Sequence, residues 1–327
     1  MSVKIYHADT LRSVETYLQK KSMKLQTFIE EHHSEEACKR SFKQYRLKAG
    51  VICKKCKSAE HYWLSTVEHF KCKGCGFRTT LRSGTALEAS KLPFRYWFMA
   101  MYFMTMTKKS MSAKEMQRQL GHKRYEPVWL MMHKIRLTMG KRDDAHKLDG
   151  EVEIDEAFFE TVNEIEEGED LKRGRGSQRQ TKVLVMAESE EVTDKKKHRT
   201  HKRCGYFKMK VIENTASATI NSEVEKAIEK TAVATTDKYT CYAKLKEVVT
   251  EHRAIKCPSK EAHKWLPWVH TAIANAKRTL LSAYHRIDGD YLQHYLNEFC
   301  YRLNRRYFGL DIFERLAFAV ADSTWYN

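Results

Sequence analysis

Hydrophobic and polar positions follow one pattern before about residue 147 and a different pattern after it. Before that point, apolar residues recur at helical spacing, and the Met- and aromatic-rich stretch 96–106 fits a buried helix. After it, short strand-like runs alternate with helices. Residues 151–159 alternate polar and apolar side chains as a half-buried strand does. Further strands are predicted at 182–187, 206–212 and 232–236, with a helix at 216–229. This order indicates an α/β domain with a ribonuclease-H-like core.

A helix-turn-helix pattern is predicted before the change. Ser112 and Glu115 form a capping box that opens a short helix through Leu120, Gly121 ends it, and Pro127 stands at the start of a longer basic helix. An ordinary helical hairpin gives the same pattern. The DNA-binding interpretation assigns phosphate or base contacts to four side chains: Lys123, Arg124, Lys134 and Arg136.

Four of the nine cysteines are paired at metal-binding spacing. Cys53 and Cys56 form one CxxC pair, and Cys72 and Cys75 form a second pair after fifteen intervening residues. Two such turns complete a tetrahedral four-sulfur site, which predicts a structural zinc ion in a zinc ribbon. Redox dithiols and free core cysteines are the alternatives, and neither explains the paired spacing.

The charge of the chain favours a polyanionic partner. Lys and Arg outnumber Asp and Glu by 59 to 42, a net charge of +17, and such an excess suits DNA phosphates. A basic loop predicted after the first strand, with Lys172, Arg173 and Arg175, fits a clamp on the DNA backbone, and solvated charge on a loop is the alternative. The longest apolar run is shorter than the ~20 residues of a membrane span. Since no signal peptide opens the chain, we expect an intracellular protein, in the cytoplasm or nucleoid, or in the nucleus of a eukaryotic host.

Two aspartates stand where a ribonuclease-H-like core places metal-binding carboxylates. Asp155 lies in the first predicted strand, and Asp237 ends the fourth. In this fold the two carboxylates meet a polar residue on a later helix, which is predicted here at 271–278. Such oxygen ligands suit Mg²⁺ or Mn²⁺, and two ions there support phosphoryl transfer.

Five stretches together resemble insertion-sequence transposases with an N-terminal zinc ribbon and an ISXO2-like, DDE-type domain, in which asparagine often replaces the third acidic residue. The stretches are CKGCGFR (72–78), EIDEAFF (153–159), TDKY (236–239), WVHTAIANAK (268–277) and LQHYLNEFCYRLNRR (292–306). The resemblance runs from about residue 50 to the end of the sequence. It implies cutting at the inverted repeats of an element, joining of 3′-hydroxyl ends to target DNA, and at least a homodimer on double-stranded DNA.

The resemblance also implies roles for individual residues. Asp155 and Asp237 become the metal-binding aspartates and Asn275 the third member, with Glu298 as its rival. Lys277 becomes a catalytic-site lysine, and Arg278 on the same helix is a further candidate for DNA contact.

We therefore predict a multidomain α+β protein. Its parts are an N-terminal helical segment (1–49), a zinc ribbon (50–86), a helical helix-turn-helix-like DNA-binding region (87–147) and a ribonuclease-H-like catalytic domain with a mixed sheet and C-terminal helices (148–327). The predicted function is Mg-dependent DNA transposition. A catalytically inactive DNA-binding derivative and a hydrolytic nuclease of the same fold are the alternatives.

Overall fold

A computed structural model describes residues 24–162, 177–194, 199–256 and 262–326. The predicted basic loop with Lys172, Arg173 and Arg175 lies outside these residues. Within them, no helix is long and apolar enough to cross a membrane.

The N-terminal part combines two helices with a small sheet. Helices α1 (Leu25–Glu31) and α2 (Glu35–Ala49) precede strands β1 (His61–Leu64), β2 (His69–Cys72) and β3 (Arg78–Thr80). The three strands form an antiparallel sheet in the order β1-β2-β3. Ser34 begins α2 because its hydroxyl accepts a hydrogen bond from the backbone N–H of Ala37. The ribbon predicted from the cysteine spacing is therefore a three-stranded sheet resting beside a helix.

Three helices follow, and two of them form the predicted pair. These are α3 (Phe94–Met106), α4 (Ala113–Leu120) and α5 (Glu126–Asp144). The Ser112 hydroxyl caps α4 by accepting from the N–H of Glu115. Gly121 ends the helix in the left-handed conformation (φ 64°), which glycine adopts without steric penalty. The predicted helix, glycine turn and second helix are confirmed.

The second half of the described chain is built on one mixed sheet. Its strands are β4 (Glu151–Glu160), β5 (Gln180–Asp194), β6 (Arg199–Ile212), β7 (Val233–Asp237) and β8 (Glu251–Ile255). Their order is β6-β5-β4-β7-β8, with β4, β5 and β6 antiparallel and β4, β7 and β8 parallel. This is the ribonuclease-H-like arrangement expected from the sequence. The edge strand β8 completes this arrangement, and the sequence pattern did not predict it.

Helices cover both faces of this sheet. Helix α6 (Ser217–Ala227) packs on one face with Val152, Ile154 and Ala234. On the other face, α8 (Pro267–Ala283) and α9 (Gly289–Asn304) pack on Ala157 and Phe159, and the short α7 (Ala262–Trp265) precedes α8.

The last helix, α10 (Ile312–Asp322), belongs to a different core from the sheet. Phe313, Leu316 and Val320 pack in one apolar cluster with residues of α1 to α5, among them Phe42 and Trp97. The sequence grouped this helix with the catalytic domain. Its apolar side chains instead complete the helical half of the molecule, and burial of such side chains stabilises the fold.

Candidate active site and zinc site

The four paired cysteines converge as the spacing predicted. Their sulfur atoms all lie within 4.8 Å of one another. The Sγ atoms of Cys53 and Cys75 are 3.6 Å apart, and those of Cys56 and Cys72 are 3.4 Å apart. A tetrahedral zinc ion with ~2.3 Å bonds separates its sulfurs by about 3.8 Å, so the residues fit the metal. The backbone N–H of Cys75 also lowers the pKa of Cys72 to about 6, which favours the thiolate that binds metal.

Asp155 and Asp237 lie on neighbouring parallel strands, each two residues beyond the last pair of the ladder. That ladder pairs Glu153 with Thr235, and the same register continued for two residues would set Asp155 opposite Asp237. Neighbouring strands are about 4.8 Å apart. The backbone N–H of Glu156 donates to Asp155 Oδ1 (2.9 Å), and that of Tyr239 donates to Asp237 Oδ1 (3.1 Å). Each carboxylate is thus held by a local backbone contact.

Both aspartates point to the face of the sheet that α8 covers. Side chains alternate along a strand. Since Ile154 and Ala234 pack on the α6 side, Asp155 and Asp237 project to the opposite side. Ala157 and Phe159, which share the face of Asp155, pack with α8 and α9. The two oxygen-bearing side chains therefore share one surface, and carboxylates of this kind suit Mg²⁺ or Mn²⁺.

His270 is the α8 side chain beside Asp155. Its Nε2 lies 3.9 Å from Asp155 Oδ2. Asn275 is five residues further along the helix, about 140° around the axis from His270. Thr279, one turn after Asn275, lines a cavity with Phe299 and Leu303 of α9. Asn275 is exposed, and its role as the third member of the site stays a prediction.

Glu153 fixes the beginning of α8 against β4. Its buried Oε2 accepts hydrogen bonds from the backbone N–H groups of Trp268 (2.7 Å) and Val269 (3.1 Å). A carboxylate at a helix N-terminus satisfies amides that have no partner within the helix. Burial raises the pKa of Glu153 to about 7, against the lowering effect of the two amides. This residue, two positions before Asp155, was missed because its partner is more than a hundred residues away.

Glu156 provides a second buried carboxylate on β4, on the opposite face from Asp155. Buried Glu156 accepts a 2.5 Å hydrogen bond from the hydroxyl of Tyr242, which lies in the short 3₁₀ helix Thr240–Tyr242 after Asp237. The contact joins the strand of Asp155 to the segment that follows Asp237. It therefore restrains the two aspartates relative to each other.

The two cationic candidates on α8 are both exposed. Lys277 lies over the ring of Phe159, with Nζ 5.6 Å from the ring centre, on the same face of β4 as Asp155. Arg278 follows it, about 100° further around the helix. Of these two side chains, Lys277 is therefore the one that contacts β4, the strand that carries Asp155.

Glu298 is not a rival metal ligand. It is 2% exposed, and its Oε2 accepts a 2.8 Å hydrogen bond from Arg136 Nε. Arg136 also donates to the hydroxyl of Tyr284 (3.0 Å), which donates to the carbonyl of Met111 (3.1 Å). These contacts form a buried network between α5, α8 and α9. Its ion pair neutralises Glu298, so this carboxylate serves packing.

Two of the four predicted DNA contacts on the helix pair are wrong. Arg136 is 1% exposed and Lys134 is 2% exposed. Lys134 donates to the backbone carbonyl of Glu88 (2.7 Å) and lies over the ring of Trp325. Neither side chain can reach a phosphate, because α5 faces α9 and the C-terminal residues. Lys123 and Arg124, at the turn between α4 and α5, are exposed and keep their predicted role as a proposal.

The sheet order and the helices on both of its faces define a ribonuclease-H-like domain, which here follows a four-cysteine ribbon. Residues 147–304 match the model of the ISXO2-like transposase domain, and residues 33–78 match that of the transposase zinc-ribbon domain, whose match includes α2. The chain belongs to the insertion-sequence transposases with an N-terminal zinc ribbon.

Two solved structures are also similar in part, while no curated protein matches the sequence. The Mos1 mariner paired-end complex with Mn is 14% identical, with 65% of this chain and 74% of that chain covered and a TM-score of 0.29. The Mos1 strand transfer complex is 14% identical, with 73% and 82% covered and a TM-score of 0.28.

Proposed function

We propose that this protein binds the terminal inverted repeats of its own element and carries out metal-dependent DNA cleavage and strand transfer. The observation that supports the proposal is the β4–β7 register, which pairs Glu153 with Thr235 two residues before Asp155 and Asp237, so that both aspartates project to one face of the sheet. Their carboxylates are the donors that Mg²⁺ or Mn²⁺ prefers. A pair of such ions would activate the attacking oxygen and stabilise the leaving oxygen of a phosphodiester.

Each residue around the two aspartates would have its own role in the reaction. Asp155 and Asp237 would hold the ions, and Glu153 keeps α8 at the distance that places His270 against Asp155. Lys277 and Arg278 would bind backbone phosphates of the DNA strand that passes these carboxylates. For the third position on α8, His270 and Asn275 are competing candidates. The position of His270 favours it, and the family resemblance favours Asn275.

Several positively charged surfaces of the protein would bind the DNA. The zinc ribbon exposes Lys55, Lys57 and Lys73, and the turn before α5 exposes Lys123 and Arg124. Side chains of this kind position a duplex through its phosphates. Two element ends must be joined in one reaction, so we expect the active form to be a homodimer or larger on DNA.

The test uses a supercoiled plasmid that carries the DNA flanking the gene, including its inverted repeats. With Mg²⁺ or Mn²⁺, the wild-type protein should nick the repeat ends and join them to a second plasmid. Asp155→Ala and Asp237→Ala should abolish both steps and leave repeat binding intact. Nicking without joining would indicate a nuclease, and repeat binding with no cleavage in the wild type would indicate an inactive DNA-binding derivative.

Two further variants separate the candidates on α8. If His270 is the third site residue, His270→Ala should remove nearly all cleavage, as Asp237→Ala does, while Asn275→Ala retains most of it. The reverse order would assign the third position to Asn275.

A further inference from the structure

A concave cavity of about 660 Å³ lies beyond the catalytic surface, at the far end of β4 and α8. Helix α8 runs alongside β4, so that His270 stands at Asp155 and Lys277 stands at Phe159. Phe159 follows Asp155 by four residues on the same face of the strand, about 13 Å further on. The cavity opens there, so a DNA strand leaving the aspartates in this direction meets it within about four nucleotide steps.

Among the described residues, the charged groups that line the cavity are chiefly cationic. They are Lys277, Arg179 and Arg286, together with His285 and the acidic Glu160. In the part of the chain that the structure describes, no carboxylate lies within 4 Å of the charged nitrogens of these three cations. The buried Arg136 and Arg305, by contrast, are both paired with carboxylates. The cavity cations are thus available to an anionic ligand.

The cavity also has apolar walls, formed by Leu280, Leu281, Ile287 and Leu292. Leu281 is 66% exposed at the rim, beside the basic residues. A duplex backbone presents only phosphates and sugars to a protein and needs no apolar recess. A base released from its pair offers a flat apolar face with a phosphate on either side, which matches a recess walled by leucines and rimmed with cations.

We propose that this cavity binds one unpaired nucleotide of the DNA strand held at Asp155 and Asp237. Lys277, Arg179 and Arg286 contact its phosphates, and Leu281 packs against its base. The proposal rests on the function proposed above, because it assumes that the strand passes the two aspartates. It adds a preference for DNA that is already unpaired near the cut, since such a nucleotide enters without the cost of breaking a base pair.

The experiment compares two labelled duplexes that carry the flanking repeat, one blunt and one with a three-nucleotide unpaired 3′ extension at the cleavage site. Anisotropy titrations should show at least fivefold tighter binding of the extended duplex by the wild-type protein. In Leu281→Glu and in Arg286→Ala, the ratio of the two affinities should fall to near one. Leu47→Glu, the same substitution at an exposed leucine of α2, is the matched control and should keep it.

The ratio of the two affinities is the readout, so a general loss of DNA binding does not imitate the effect. Thermal unfolding of each variant shows whether it is folded. Equal affinity of the wild type for both duplexes, or an unchanged ratio in folded Leu281→Glu, would overturn the proposal. Asp155→Asn should keep the ratio while it loses cleavage. If the wild type binds the extended duplex more tightly but never cleaves DNA, the proposal for the cavity holds and the proposed catalytic function fails.

Discussion

Glu153 and Trp268 are 115 residues apart in the chain, yet the carboxylate of one accepts the backbone N–H of the other at 2.7 Å. This bond and its neighbour to Val269 attach the helix of His270 to the strand of Asp155. The relative placement of strand and helix thus depends on a buried carboxylate that does not itself need to touch the substrate.

Glu153→Ala should loosen the beginning of α8. The backbone amides of Trp268 and Val269 lose their acceptor, and an unsatisfied amide costs about 1–3 kcal/mol where it is buried, as that of Val269 is. Hydrogen exchange at Trp268 and Val269 should accelerate, and DNA cleavage should fall while repeat binding is retained. Glu153→Gln, which keeps an acceptor oxygen, should restore most of both properties. Unchanged amide exchange in Glu153→Ala would contradict this role.

Zinc should be present at one ion per chain and required for the fold of the ribbon. Removal by a strong chelator, or Cys72→Ser, takes away the bonds that join the two CxxC turns, and the binding energy of structural zinc is folding energy. Metal analysis and circular dichroism test this, with Cys241→Ser as the control outside the cluster. A ribbon that stays folded without metal would argue against a structural site.

Arg136→Ala should destabilise the protein strongly. It leaves the buried Glu298 carboxylate without its principal partner, a change that costs about 3–5 kcal/mol. The double variant Arg136→Met with Glu298→Leu removes both charges and should be much closer to wild type. Urea unfolding measures the difference. Equal stability of the single and double variants would show that the pair does not act as a unit.

Acid should destabilise the fold through a buried histidine pair. The Nδ1 atoms of His133 on α5 and His294 on α9 are 2.7 Å apart, and burial, with the charge of Arg136 adding to it, lowers the pKa of His133 to about 2. The unfolded chain takes up this proton near pH 6.5 and the folded chain does not. The free energy of unfolding therefore carries the full contribution of neutral His133 above about pH 6.5, and this contribution declines as the pH falls from there towards 2.

His133→Phe should flatten this decline, and His285→Phe, at an exposed position, should not. Unfolding free energies between pH 7 and 5 provide the comparison. A decline of the same steepness in His133→Phe would assign acid sensitivity to other groups.

Lys123 and Arg124 should contribute to DNA affinity without sequence preference. Each phosphate contact contributes about 0.9 to the slope of log affinity against log salt on duplex DNA. The double alanine variant should lower that slope by up to about 2 for specific and random duplexes alike. Arg118→Ala, which removes an exposed α4 arginine paired with Glu115, is the control. An unchanged slope would remove the turn from the interface.

The parts of the structure that the sequence predicted are those with local patterns. The CxxC spacing located the ribbon, Ser112 and Gly121 located the ends of α4, and alternation along 151–159 located the strand of Asp155. What escaped prediction depends on contacts between distant residues. The basic residues Lys134 and Arg136 suggested an exposed surface, but Glu298, 162 positions after Arg136, provides the partner that allows its burial.

The candidate site rests on local patterns to a similar extent. Asp155 and Asp237 are candidates because each lies in a strand whose pattern is visible in the sequence, and the face that they share follows from the alternation of side chains along those strands. The choice between His270 and Asn275 requires the rotation of α8 about its axis. That rotation is set by Glu153 and by packing on α9, neither of which leaves a mark in the local sequence.

Helix α10 has a consequence for the order in which the molecule is made. Its side chains Phe313 and Leu316 lie in the same core as Phe42 and Trp97. During synthesis the ribbon-bearing half emerges first, but its interior stays incomplete until residues 312–322 have left the ribosome. The sheet with Asp155 and Asp237 can close before that moment, so the part of the chain translated earliest is among the last to reach its final packing.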